Sequence, residues 1–247
     1  MWNLFVSIFI NVLLWIYDII GQNFGVAIIL FTILIRIVTW PLNAQQMKGA
    51  KAMQDLQNDK EWQAIQKKYA KDREKLAQEQ MRLYRERGIN PFGSCLPTLI
   101  QFPILIALYQ SIIRALAATP LDLLKLSQSI NPNFLDVANL IPLNSKFLWM
   151  NLGQPEPYYI LAIIVAATTY IQSKLTLPPA TNPNDQSAAM GQSMAITMPL
   201  MLGWFALTFP SGLSVYFITS NLLGIVQYAA QGKANWSNLL PKSLRKE

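Results

Sequence analysis

The stretch Phe24-Gly-Val-Ala-Ile-Ile-Leu-Phe-Thr-Ile-Leu-Ile-Arg36-Ile-Val-Thr-Trp40-Pro41 decides the class of this protein. A bilayer crossing needs about 20 mostly apolar residues, and this run is close to that length with Arg36 as its one charge. A guanidinium at the bilayer centre costs about 2.5–3.5 kcal/mol on insertion scales. Arg36 therefore needs something polar to face. One reading is a hydrated cavity lined by neighbouring spans. The other is snorkelling, since Trp40 one turn away suits an interface and the arginine head could reach the headgroups beside it.

Working outward, further apolar stretches lie at 91–117 and 157–177, and a pair occupies 192–230, split by Phe209-Pro-Ser-Gly212. With 23–42 they make five expected spans, TM1 to TM5, the last two forced antiparallel by their tight turn. The chain is 52% hydrophobic and 13% charged, about half the charged fraction of a soluble domain. Its polar portion is concentrated at 43–90, which holds 11 of the 20 Lys/Arg and 7 of the 13 Asp/Glu. There is no histidine and only one cysteine, Cys95. That removes the usual near-neutral acid/base and any intrachain disulfide or thiolate cluster. No phosphate-cradling glycine motif is present, so neither nucleotide nor any other cofactor is expected, and no metal.

The first residues, 1–22, carry Asn3, Ser7, Asn11, Asp18 and Gln22 on one helical face. They are expected to form an interfacial amphipathic helix; a sixth span or uncleaved signal anchor is the competing reading. Basic residues fix the orientation. They crowd 43–90 and the 231–247 tail, whereas 118–156 has only Lys125 and Lys146. Five spans place 43–90, the 178–191 loop and the tail together in the cytosol, with the N-terminus and the 118–156 loop outside. Residues 43–90 read as two antiparallel helices. Asp72 is a plausible cap for the second, and Gly88 a stop. The excess of basic charge there suits anionic lipid or ribosomal RNA; a solvated loop that merely sets topology is the plainer alternative. The expected fold is an all-α polytopic membrane protein with a five-transmembrane-helix core, an interfacial N-terminal helix and a cytosolic helical hairpin.

Polar residues recur on single faces of the spans. Thr32, Arg36 and Thr39 share one face of the first, and Ser94, Thr98 and Gln101 one face of the second. The third offers Thr168, Thr169 and Gln172; the fifth offers Ser214, Tyr216, Thr219, Ser220, Asn221 and Gln227. Helices with polar faces can enclose water, although hydroxyls in membrane helices often only hydrogen-bond between neighbours.

In this order and spacing, Leu34-Ile-Arg36, Trp40-Pro-Leu42, the charged hairpin, Asn90-Pro-Phe-Gly-Ser-Cys-Leu-Pro-Thr-Leu-Ile-Gln-Phe-Pro103, Pro157-Tyr-Tyr-Ile-Leu161 and Phe209-Pro-Ser-Gly-Leu213 followed by Tyr216 and Ser220-Asn-Leu222 are highly specific. Taken together they resemble the YidC/Oxa/Alb family of membrane protein insertases. The resemblance implies a hydrophilic groove open to cytosol and lipid, with its arginine at Arg36 and nearby hydroxyl at Thr32. Ser94, Thr98, Gln101, Gln172, Tyr216 and Thr219 complete the expected groove. Cys95, Pro97, Phe102, Leu105 and Phe217 fall on the helices along which family members guide substrates. Phe217 stands where the family often has Tyr, and Leu56-Gln-Asn58 replaces its usual Leu-Gln-Pro. The implied activity is insertion without chemical catalysis, in a bacterial plasma membrane or a thylakoid. Nascent membrane proteins and lipid are the expected partners, and the ribosome and a Sec-type translocase are candidates. An anion or solute transporter and an assembly scaffold for membrane helices are the rival functions.

Overall fold

A computed structural model describes residues 2–57, 59–69, 72–89, 96–116, 126, 130, 143–176, 186–232 and 236, with the backbone alone at 50, 54, 57, 73, 96–100 and 186–192. The helices are α1 (Trp2–Ile19), α2 (Phe24–Val38), α3 (Trp40–Gln57), α4 (Lys60–Lys68), α5 (Arg73–Glu86), α6 (Leu96–Ala115), α7 (Ile160–Thr176), α8 (Gln186–Thr208) and α9 (Ser211–Ala230). One short antiparallel pair, β1 (Lys146–Phe147) and β2 (Met150–Asn151), precedes α7. By contacts the chain forms two compact units.

The first unit comprises 1–38, 101–169 and 199–224. In it α1 and α2 form an antiparallel pair. Phe9 meets Phe31 edge-on at 5.3 Å and Tyr17 meets Phe24 at 6.0 Å between ring centroids. The turn between them uses positive φ at Gly21 and Gln22. Asn23 then caps α2, its side-chain oxygen accepting the Val26 amide at 3.1 Å. Val6, Ile10, Leu13 and Leu14 are fully buried in the same core as Ile28, Leu108, Ile112 and Leu213.

Of the polar stripe on α1, Asn3 and Asp18 are exposed, whereas Ser7 and Asn11 are half-buried and bonded to each other, Asn11 Nδ2 to Ser7 Oγ at 3.2 Å. Leu4, Ile8, Trp15 and Ile19 are exposed as well. By length and composition α1 and α9 can each cross a membrane, and α2 with α3 qualify as a broken third span. Apolar but shorter are α7 and the Ser193–Thr208 part of α8.

One end of this unit is tightly stitched. The Asn144 amide donates to the Tyr17 hydroxyl at 3.0 Å, and the Gly212 amide to the Leu152 carbonyl at 3.0 Å. Ser211 donates its amide to the Gln154 carbonyl at 2.8 Å and its hydroxyl to the Asn151 carbonyl at 2.8 Å. Gly212 keeps this approach close: a β-carbon there would lie 3.1 Å from both Ile28 Cδ1 and the Leu152 carbonyl oxygen. Elsewhere Gly203 lets α8 approach α7, since a β-carbon would come within 3.0 Å of Ala166 Cβ.

The second unit comprises 39–100, 170–198 and 225–247. The expected two-helix hairpin is built from three pieces, because the first arm breaks before Asp59. Asp59 starts a new helix, its carboxylate accepting the Glu61 amide at 2.8 Å. Asp72 caps α5 through the Lys75 amide at 3.1 Å, and Gly88 follows α5 with φ +64°. Leu56, Trp62 and Leu83 bury one another between the arms. Arg87 pairs with Asp59 at 2.6 Å, and Arg82 with Glu79 and Glu86 at 2.7 Å each. The hairpin is thereby antiparallel, with the start of α4 beside the end of α5. Helix α8 begins at Gln186, earlier than the expected 192. Most of the 118–156 loop and nearly all of the 231–247 tail lie outside the described residues.

Candidate functional site

Arg36 occupies the last turn of α2, whose helix stops at Val38 just before Trp40-Pro41. Proline suits the first turn of a helix and not its interior, so α3 starts there. The half-buried guanidinium reaches across to α9. Its Nη2 donates to the Ser220 carbonyl oxygen at 2.6 Å and to Ser220 Oγ at 2.8 Å, while Nε donates to Oγ at 3.2 Å. A rise of 1.5 Å per residue puts Arg36 about 18 Å from the start of α2 and Ser220 about 14 Å from the start of α9. Both helices start at the end of the unit stitched to the β-pair. The link thus lies a comparable distance along both helices from that end.

Around it on α9 are two further polar links. Tyr216, one turn before Ser220 and buried, accepts a hydrogen bond from the Gln101 amide of α6. Asn221 donates through Nδ2 to Thr169 Oγ1 at 2.8 Å and Thr168 Oγ1 at 3.1 Å on α7. Thr168 in turn donates to its own helix, at the Ile164 carbonyl, 2.7 Å away. The middle of α9 therefore joins α2, α6 and α7 through Ser220, Tyr216 and Asn221. A buried polar group without a partner costs about 1–3 kcal/mol, and these groups have partners.

The residues singled out by sequence fare unevenly. Arg36, Gln101 and Tyr216 come together on α9 or its direct partners. Thr32 does not: it is fully buried, and its hydroxyl donates to the Ile28 carbonyl of its own helix at 2.6 Å. Thr219 is half-buried on α9, and Gln172 is half-buried on α7 within the second unit. Phe102 is 57% exposed. Leu105 packs against the main core, and Phe217 against two apolar clusters. Ser94 and Cys95 lie outside the described residues, as do the side chains of Pro97 and Thr98.

Ser220, Asn221, Thr168 and Thr169 are the partners that sequence reasoning mentioned but did not select. The available signal was the adjacency of Ser220 and Asn221, which point to different neighbours, and the Tyr216–Ser220 spacing of one turn. Among the described residues no cluster suited to a metal ion exists.

Comparison with known proteins adds the following. Residues 15–235 match the family model described as 60Kd inner membrane protein. A membrane protein insertase YidC 2 of Listeria innocua is 40% identical over 220 residues, covering 87% of this chain and 66% of that protein. Membrane protein insertase MisCA of Bacillus subtilis is 38% identical, covering 84% and 69% respectively. Membrane protein insertase YidC of Fusobacterium nucleatum is 37% identical, covering 83% and 84%. Among solved structures, an active YidC insertase crystal structure with its first transmembrane domain resolved superposes with a TM-score of 0.56 at 28% identity. That match covers 88% of this chain and 43% of the solved one.

Proposed function

The chain belongs to the 60Kd inner membrane protein family, which embraces the YidC insertases, and from that premise we propose that it inserts membrane proteins through a polar path centred on Arg36. Its clients are nascent membrane proteins with short polar tails, and its medium is the lipid bilayer of a bacterium. The tail enters from the cytosol and meets Arg36 with the hydroxyl and amide groups of Gln101, Tyr216, Thr219 and Ser220. This shortens the hydrocarbon path left to cross. The client helix then leaves into lipid along α6 and α9, past Phe102, Leu105 and Phe217, driven by burial of its apolar surface. No covalent bond changes, so the activity is not enzymatic. The five-span topology, with the N-terminus outside and the α3–α5 hairpin and C-terminus cytosolic, belongs to this proposal. So do ribosome and Sec-type translocase as partners.

The observation that carries the reading is the hydrogen-bonded link from Arg36 on α2 to Ser220 on α9. A guanidinium that bends towards a neighbouring helix is supporting evidence against simple snorkelling to the headgroups. It also keeps a positive charge where a client tail must pass. The test is reconstitution with several single-span clients, scored by protease protection of the tail. Arg36→Ala and Arg36→Glu should lower protection of acidic tails by tenfold or so, the equivalent of about 1.4 kcal/mol. Parent-level protection of every acidic-tailed client by both variants would remove the charge-capture step. Solute flux through protein-loaded liposomes would instead favour a transporter.

A further inference from the structure

The end of the first unit that carries the β-pair displays large apolar side chains. Leu148, Trp149, Tyr158 and Tyr159 are 73%, 49%, 66% and 61% exposed. Two of them stand on backbone that an L-residue avoids, with φ +53° at Leu148 and +61° at Tyr159. Each such position costs roughly 1–2 kcal/mol, and glycine would relieve it. Strain of this kind persists where surrounding contacts over-determine the conformation.

Glu156 supplies those contacts. Its carboxylate is only 4% exposed. One oxygen accepts the Trp149 indole N–H at 3.1 Å and the Tyr158 amide at 3.3 Å; the other accepts the Leu161 amide at 3.1 Å. One buried side chain thus clamps the β-turn to the first turn of α7. Behind it Met150 and Leu152 are buried in the main core. The four exposed side chains are held on a rigid mount.

We propose that this mount is a lipid anchor, seating Leu148, Trp149, Tyr158 and Tyr159 at the boundary between headgroups and acyl chains of the adjacent leaflet. Three observations select lipid as the occupant. The four are followed on α7 by Ile160 and Ile163, 41% and 68% exposed, on a helix expected to span the bilayer. No charged residue lies in 147–150 or 157–163. Trp and Tyr are the side chains that favour this boundary, with an apolar ring and one polar atom. With the Trp149 indole proton already committed to Glu156, its ring enters the acyl region without an unmet donor. The anchor fixes the depth at which α7 and α9 begin.

The experiment uses the full chain in phosphatidylcholine liposomes with Cys95→Ser and Leu148→Cys, the new thiol carrying a nitroxide. Power saturation should show collisions with oxygen exceeding those with a water-soluble nickel chelate. Dominance of nickel would overturn the proposal, and so would dipolar broadening that spin dilution removes, which would indicate a second copy on the patch. As an independent readout, the emission lost on Trp149→Phe should be blue-shifted and quenched by lipid brominated near the headgroup. If that component is instead quenched by aqueous acrylamide, Trp149 lies in water and the anchor is wrong. Adding Glu156→Gln leaves one acceptor oxygen in place of two and should raise nickel access at position 148. No change there would refute the clamp. None of these readouts depends on insertion of a client.

Discussion

Arg36 donates hydrogen bonds to the Ser220 carbonyl and hydroxyl. Hydrogen bonds to charged groups contribute about 1.5–3 kcal/mol each. Ser220→Ala keeps the carbonyl bond and removes the one hydroxyl acceptor that Nε and Nη2 share, so it should lower stability by about 1.5–3 kcal/mol, read as a lower melting temperature in nanodiscs. Thr32→Val should be close to neutral in the same assay and in insertion, because among the described residues its hydroxyl donates to the Ile28 carbonyl alone, which already belongs to a helical ladder. A large loss for Thr32→Val with none for Ser220→Ala would reverse the roles assigned to the two hydroxyls. Arg36 was legible from its cost in an apolar run. Ser220 was not, since a serine in a span more often bonds its own helix, and nothing local says which neighbour it faces. Glu156 was equally hidden: in sequence it is one acid in a polar loop, and only its burial beneath Trp149 reveals it as a clamp.

The α3–α5 hairpin owes its shape to two capping carboxylates, and these make it sensitive to acid. The Glu61 amide bonded to Asp59, with Arg87 beside it, holds that carboxyl below its ordinary value of 3.8. The Lys75 amide does the same for Asp72, also from 3.8. A carboxyl whose pKa is lower when folded stabilises the fold above its unfolded pKa, and that contribution disappears as pH falls through the folded value. The hairpin should therefore keep its helicity from neutrality down to about pH 4 and lose it below. Amide exchange of the full chain would then rise in 59–87 before it rises in α1 and α2. Asp59→Asn retains a capping oxygen and should remove only the part due to Arg87. Exchange that rises evenly along the chain would contradict this. The caps at Asp72 and Gly88 and the turn before α9 were readable because Asp, Gly and Pro restrict the backbone locally. The break at Asp59 was not, because Asn58 gives no stop of its own; the one at Thr39 had its signal in Pro41, which the apolar run across it masked. On α1 periodicity found the polar stripe, but only packing shows that Ser7 and Asn11 within it bond to each other.

At the scale of the whole molecule, the proposed route exposes a client tail and Arg36 alike to the field across the membrane. One charge moved through a potential of 100 mV changes energy by about 2.3 kcal/mol. With the outside positive, an acidic tail moving outward runs down this gradient and a basic tail runs up it. On the proposed route the Arg36 guanidinium lowers the first part of the path for an acidic tail and raises it for a basic one. The two effects have the same sign for each tail but act at different depths, so they should add. Dissipating the potential with an ionophore in liposomes should reduce protection of a singly acidic tail, reduce a doubly acidic one further, and leave a neutral tail unchanged. Arg36→Ala should lower the acidic yields at every potential while keeping the graded response to ionophore, because the field remains when the residue is gone. If Arg36→Ala abolished the graded response itself, the arginine would be the element that senses the potential, and capture and field could not be separate steps.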